Sequence, residues 1–308
     1  MNNIGNLGIF VLVLATWFAP ALFAVEGDSV LLEKHFRELT KDTNWRPTST
    51  HEVSFPTHHP QGMTAVNDRF FLSSVEVVDR AADEGVGHLF EMDRNGVLTR
   101  QITLGEGALY HPGGIDYDGA RLWVPVAAYR PDSAAIMYTV NPDTLESQEV
   151  FRFDDHLGAA AHCPEQNLLV AVSWGSRRFY RWDTVELNGR ATVPDPANPL
   201  MQPNGSHYID YQDMQRIPGT TYMLCSGLRS YQTTENRLAA FRLGGIELVD
   251  MKELRAHHQV PVPVRPPAAP AWTQNPFYVQ ATEQGLRFFF VPEDNKSSIH
   301  IFEVEKRQ

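Results

Sequence analysis

Cysteine is nearly missing from this chain. Cys163 and Cys225 are its only two in 308 residues, so no disulfide framework holds the fold. One bridge formed after export is one reading of the pair, and two small buried thiols the other. Positive charge is also short: 26 Lys and Arg stand against 37 Asp and Glu, a formal net charge of −11. That excludes the basic footprint of proteins that bind nucleic acid or anionic lipid in bulk. Long apolar runs are lacking apart from Gly8 to Phe23, which closes on small residues around Ala21 and Ala24. Residues 1–24 therefore read as a signal peptide cleaved after Ala24 or Ala21, although no Lys or Arg precedes the run. An uncleaved anchor is the alternative, but the run is short for a bilayer span. The expected destination is the periplasm or the extracellular space, with no stable membrane insertion after cleavage. No G-x-S-x-G elbow, H-E-x-x-H, Walker loop or EF-hand pattern occurs.

What is present is a long succession of short strands and turns. Residues 25–50 form a lead-in, with a helix expected over Asp28 to Lys41. Asp28 or Ser29 would cap it, and Val30, Leu31, Phe36 and Leu39 would give its apolar stripe. From residue 51 to 308 one domain is expected, built of a unit that recurs five times. Its first half appears as GMTAVNDRFFLSS from Gly62, GGIDYDGARLWVPV from Gly113 and GAAAHCPEQNLLVAVS from Gly158. It appears again in the segments from Tyr208 and Tyr278. The second half is a hairpin, starting at His88, Ile136, Arg177, Arg237 and Ile299, with Asn-Gly, Pro-Asp or Gly-Gly turns.

Four strands per unit and five units predict an all-β, five-bladed β-propeller, with six blades as the alternative because the interval before the last unit is long. The last unit lacks an outer strand. His51–Phe55 from the other end of the domain is expected to supply it and remove two exposed edges. Two proline-rich segments, 194–203 and 261–276, are expected as extended connections between blades.

Histidines precede four of the opening segments: His59, His111, His156 and His207, at intervals of 52, 45 and 51 residues. In a propeller they would gather near the axis. Three readings stand side by side: ligands for a divalent transition metal, zinc or iron; proton carriers or anion donors without a metal; and compact side chains that the turn itself requires. The loops after the second strands lie on the same face, and each holds a cation. Arg80, Arg130, Arg177 and Arg229 would ring the imidazoles, with Tyr129 and Trp174 beside them. A cationic funnel on an acidic body suits a small anionic molecule. Asp116 and Glu76 are the candidate catalytic bases.

The phrases DYDGARLWVPV and DRNGVL resemble the lactonase-type, NHL-like propellers, the gluconolactonase and paraoxonase group. HP-x-G and DHLGAAAHC look closer to an uncharacterised family of exported propeller proteins. The resemblance covers the chain from about His51 onward. The lactonase group holds calcium with Glu, Asn and Asp at its inner-strand starts; here those places hold histidine, which makes calcium the less favoured ion. The expectation is a metal-assisted hydrolase of a small anionic or ester-like substrate. The competing expectation is a non-enzymatic propeller that binds a small anionic ligand or a protein partner.

Overall fold

A computed structural model describes residues 21–232 and 240–305 of the protein. Most of the expected signal peptide lies outside the described residues. Helix α1 (Ala21–Glu38) is followed by strand β1 (Arg46–Glu52). The helix thus runs through Asp28 and Ser29, expected as its caps, and stops before Lys41. Leu32, Phe36 and Leu39 are buried while Val30 is exposed, which turns the apolar stripe from its expected setting. These three side chains, spaced four and three residues apart, share one helical face and pack with Trp45 against Phe288 and Val279.

The remaining strands form five antiparallel blades in chain order and one two-stranded hairpin outside them. Blade 1 holds β2 (His59–Val66), β3 (Arg69–Asp79), β4 (Glu84–Asp93) and β5 (Leu98–Leu104). In blade 2 the inner strand is split into β6 (Leu109–Pro112) and β7 (Asp116–Tyr117), followed by β8 (Leu122–Ala128), β9 (Ala135–Val140) and β10 (Ser147–Phe153). Blade 3 holds β11 (Ala159–Cys163), β12 (Leu168–Val172) and β13 (Arg178–Asp183). A separate hairpin, β14 (Val185–Leu187) with β15 (Arg190–Thr192), then leaves that sheet, and β16 (Leu200–Pro203) returns as its outer strand. Blade 4 holds β17 (Asp210–Arg216), β18 (Tyr222–Gln232), β19 (Ala240–Asp250) and β20 (Arg255–Pro261). Blade 5 holds β21 (Phe277–Thr282), β22 (Gly285–Phe290) and β23 (Ser298–Glu305).

Strand β1 pairs antiparallel with β23, Thr50 opposite His300, and closes the ring. The predicted five-bladed propeller with an N-terminal closing strand is therefore the observed fold. The closing strand lies earlier than His51–Phe55 and shares only His51 and Glu52 with that segment. The third blade departs further from expectation. Its outer strand comes from the proline-rich stretch, which an edge position tolerates because a missing N–H there faces no partner. The hairpin signal at Asn188-Gly189 marks the added ribbon instead.

Apolar cores fill each gap between neighbouring blades, five in all among the described residues. Cys163 and Cys225 both belong to the core between blades 3 and 4, as free thiols. Burial pushes the Cys163 thiol up to about 11, and Cys225 well above its ordinary value, so neither is poised to react. A buried polar link joins blades 2 and 3. Asp118 accepts from His162 Nδ1 at 2.8 Å and from Trp123 Nε1 at 2.7 Å, while His162 Nε2 lies 3.1 Å from Thr184 Oγ1.

The axis is closed by backbone and by one carboxylate. A Cβ on Gly62 would stand 2.5 Å from the Ile115 nitrogen, and one on Gly113 would stand 2.2 Å from the Gly158 oxygen. Inner strands approach this closely only because these positions lack a side chain. Asp213 is fully buried. Its Oδ2 accepts from the amides of Met63 (2.9 Å) and Phe277 (3.3 Å), and its Oδ1 from those of Ile115 (3.1 Å) and Met214 (3.0 Å). One side chain thus ties the inner strands of blades 1, 2 and 5 to that of blade 4. The glycines that recur after the histidines are explained here as the condition for closing the ring.

Candidate functional site

Because each inner strand starts on the same face, the loops leading into them converge on one axial mouth. His59 starts β2 and is about one third exposed. Its Nδ1 lies 2.8 Å from Asp294 Oδ1, and Asn275 donates to the same oxygen at 3.1 Å. Burial alone would raise Asp294, but the bonds from His59 and Asn275 outweigh it and hold the carboxyl below its ordinary value. An ionised Asp294 fixes the tautomer that carries its proton on Nδ1, leaving Nε2 of His59 as the free acceptor. His59, Asp294, Asn275, Gln212, Arg242 and Lys296 border an open cavity of about 590 Å³.

The other two imidazoles lie deeper. His111 and His156 are almost wholly buried, with ring centres 5.7 Å apart. His156 Nδ1 bonds the Ala128 carbonyl at 2.9 Å. Nδ1 of His111 has no hydrogen-bond partner. Tyr129 stacks on His111 at 4.1 Å, Trp174 meets His156 edge-on at 4.8 Å, and Arg80 lies 4.1 Å over the Tyr129 ring. Burial, then the nearby His156 and His59, push His111 well below its ordinary value; burial also lowers His156. Both rings are therefore neutral at pH 7.

His111, His156, Tyr129, Trp174 and Arg80 thus lie in one chain of ring contacts, and His59 is near enough to His111 to act on its charge. His207 does not join them: its side chain is exposed, and only its backbone oxygen is used, by Arg229 and Tyr231. The cations are less free than expected. Arg177 pairs with Asp210, Arg229 stands 3.9 Å from the same carboxylate, and Arg130 pairs with Asp83 on blade 1. Asp116 is separated from the histidines altogether. It lies beyond Gly113 and Gly114, at the far end of the inner strand, and borders the opposite mouth with Thr64, Gln215 and Arg216. Burial pushes it up to about 8, and its Oδ2 has no partner.

The expected four-histidine metal set is not formed, since the axial imidazoles do not bring three ligand atoms together. Among the described residues one set does so: His58, Glu76 and His88, whose ligand atoms all lie within 4.8 Å of one another. Glu76 was expected at the axis and is found here, on blade 1. His58, His88, Asp213 and Asp294 carry no repeat signal that would single them out. Asp213 alone leaves a trace, a carboxylate in mid-strand where the register gives blades 1 and 2 the glycines Gly62 and Gly114.

The chain belongs to the DUF6454 family, a family of unknown function, which matches residues 26–306. No curated protein matches it. Among solved structures, a hypothetical protein from Leishmania major is similar with a TM-score of 0.50 at 10% identity, over 83% of this chain and 90% of that one. A GH43 endo-arabinanase from Bacillus licheniformis is similar with a TM-score of 0.47 at 8% identity, over 82% and 95%. At such identities the likeness is one of fold alone.

Proposed function

We infer that this member of a family of unknown function uses its axial mouth to hydrolyse a small anionic or ester-like molecule. The observation that carries the reading is the His59–Asp294 pair at the edge of an open cavity. The carboxylate orients the ring; the free Nε2 takes a proton from a water that attacks the ester centre, and returns it to the oxygen that leaves as the ester bond breaks. Neutral His111 and His156 lie behind it. Arg80 with Arg177 and Arg229 receives the anionic part of the substrate, which exchanges with Asp210 for the two latter guanidinium groups. Trp174, tilted 49° from Tyr129, adds an aromatic side chain beside them.

Screening carboxylic esters, lactones and phosphoesters with the purified chain tests this. Turnover should fall by about 10²–10⁴ in His59→Ala, the range for loss of a general base, and should fall in Asp294→Asn with KM little changed. No turnover in any ester class, or full activity in His59→Ala, sinks the hydrolytic reading. A second reading rests on the Arg80–Tyr129–His111 stack, which is a ready platform for a planar anion held without chemistry. Saturable binding of a planar carboxylate, weakened in Arg80→Ala and accompanied by no turnover, selects it.

A further inference from the structure

We propose that His58, Glu76 and His88 form a binding site for a divalent transition-metal ion on blade 1, apart from the axial mouth. The three side chains come from different segments: the approach to β2, the last third of β3 and the middle of β4. His88 Nε2 lies 3.1 Å from Glu76 Oε2, and His58 Nε2 lies 3.8 Å from the same oxygen. Ligand atoms bound tetrahedrally at about 2.0–2.2 Å lie roughly 3.4 Å from one another, so these two separations bracket what an ion requires. Because the His58 and His88 rings are nearly parallel, 8° apart, one of them turns out of the stack for both nitrogens to face a single ion.

Both rings belong to an aromatic stack. His58 and His88 stack with centres 4.9 Å apart, and His88 stacks in turn on Phe90 at 5.2 Å. His58 has a φ of 52°, a left-handed conformation that a non-glycine residue adopts only when its surroundings impose it. The imposing contacts come from blade 5. Asn295 donates its amide to the His58 carbonyl at 2.6 Å, and Thr57 donates its amide to the Asn295 carbonyl at 3.0 Å. This same loop carries Asp294, which holds His59. Adjacent histidines are thus turned to different tasks, His59 to the axis and His58 to the flank of blade 1.

The donor chemistry selects the ion. Two imidazoles and one carboxylate suit zinc, cobalt, nickel or iron and are a poor match for calcium or magnesium, which prefer oxygen shells. The side chains of His58, His88 and Glu76 are 23%, 13% and 40% exposed. A bound ion therefore keeps at least one position open to solvent or to a ligand. One carboxylate leaves the complex with a net charge of +1, which favours an anion in that position.

The test is titration of chelator-stripped, tag-free protein with cobalt(II), followed by visible absorption, and with zinc(II) by calorimetry. One equivalent should bind. Affinity should fall by roughly tenfold or more in His88→Ala, in Glu76→Gln and in His58→Asn, the last chosen because asparagine tolerates the left-handed backbone. His59→Ala should bind the ion as the parent does, although it removes the proton acceptor of the axial mouth. Circular dichroism establishes that each variant is folded. Absence of stoichiometric uptake by the parent overturns the proposal. Uptake that survives unchanged in both His88→Ala and Glu76→Gln overturns it as well, and leaves the axial reading untouched.

Discussion

Replacing Asp213 by asparagine tests whether the propeller is closed by its buried carboxylate. Four backbone amides point at the two oxygens. Asparagine keeps the shape, but its amide nitrogen must face either Met63 and Phe277 or Ile115 and Met214. Two buried N–H groups then lose their acceptor, at about 1–3 kcal/mol each, or about 2–6 kcal/mol together. An opposing effect exists. Burial pushes Asp213 well above the usual carboxylate range, so a neutral side chain relieves a desolvation cost. The hydrogen bonds should win, because the inner strands are packed so closely that a Cβ on Gly62 does not fit, which leaves no room for water to replace a lost acceptor. At about 2–4 °C per kcal/mol for a domain of this order, the melting midpoint should drop by on the order of 10 °C. Thermal and urea unfolding, each followed by circular dichroism, measure it. An Asp213→Asn protein as stable as the parent, or more so, would refute the reasoning and make charge burial the governing term.

Two pH effects follow from the titrating groups. The folded-state pKa values of His111 and His156 lie below the ordinary 6.5, so the unfolded chain binds more protons on acidification. Their contribution is complete above about pH 6.5 and is lost as pH falls, at up to about 1.4 kcal/mol per pH unit for each ring. A His111→Gln/His156→Gln protein should lose less stability than the parent between pH 7 and 5; equal losses in chemical unfolding would contradict this. Asp116 acts in the opposite sense. Its folded pKa is raised to about 8, so its contribution is full below the unfolded value and is lost as pH rises. Asp116→Asn should therefore be more stable than the parent at pH 7.5, by at least about 1 kcal/mol, with the gap closing toward pH 4. A destabilised variant at pH 7.5 would show that the carboxyl is ionised and paired.

The sequence by itself determined the propeller and its closure by an N-terminal strand, and favoured five blades over six. Strand alternation and turn chemistry are local properties, and five repetitions of one unit leave few ways to bury five sets of apolar faces. It also placed His59, His111 and His156 together, since equivalent positions in repeated units must share one face. Tertiary structure decided the rest. Asp116 and His111 are close in sequence, yet glycines pack the inner strands so tightly between them that they serve opposite mouths. His207 stands three residues before the place in blade 4 that matches His59 and His111; the strand register gives that place to Asp210, and His207 is left in the approach loop, exposed. The pairing of Arg177 and Arg229 with Asp210, and of His59 with Asp294, joins residues from different loops. So does the meeting of His58, Glu76 and His88. Such contacts depend on how two loops lie against each other in three dimensions, and no spacing along the chain encodes that distance.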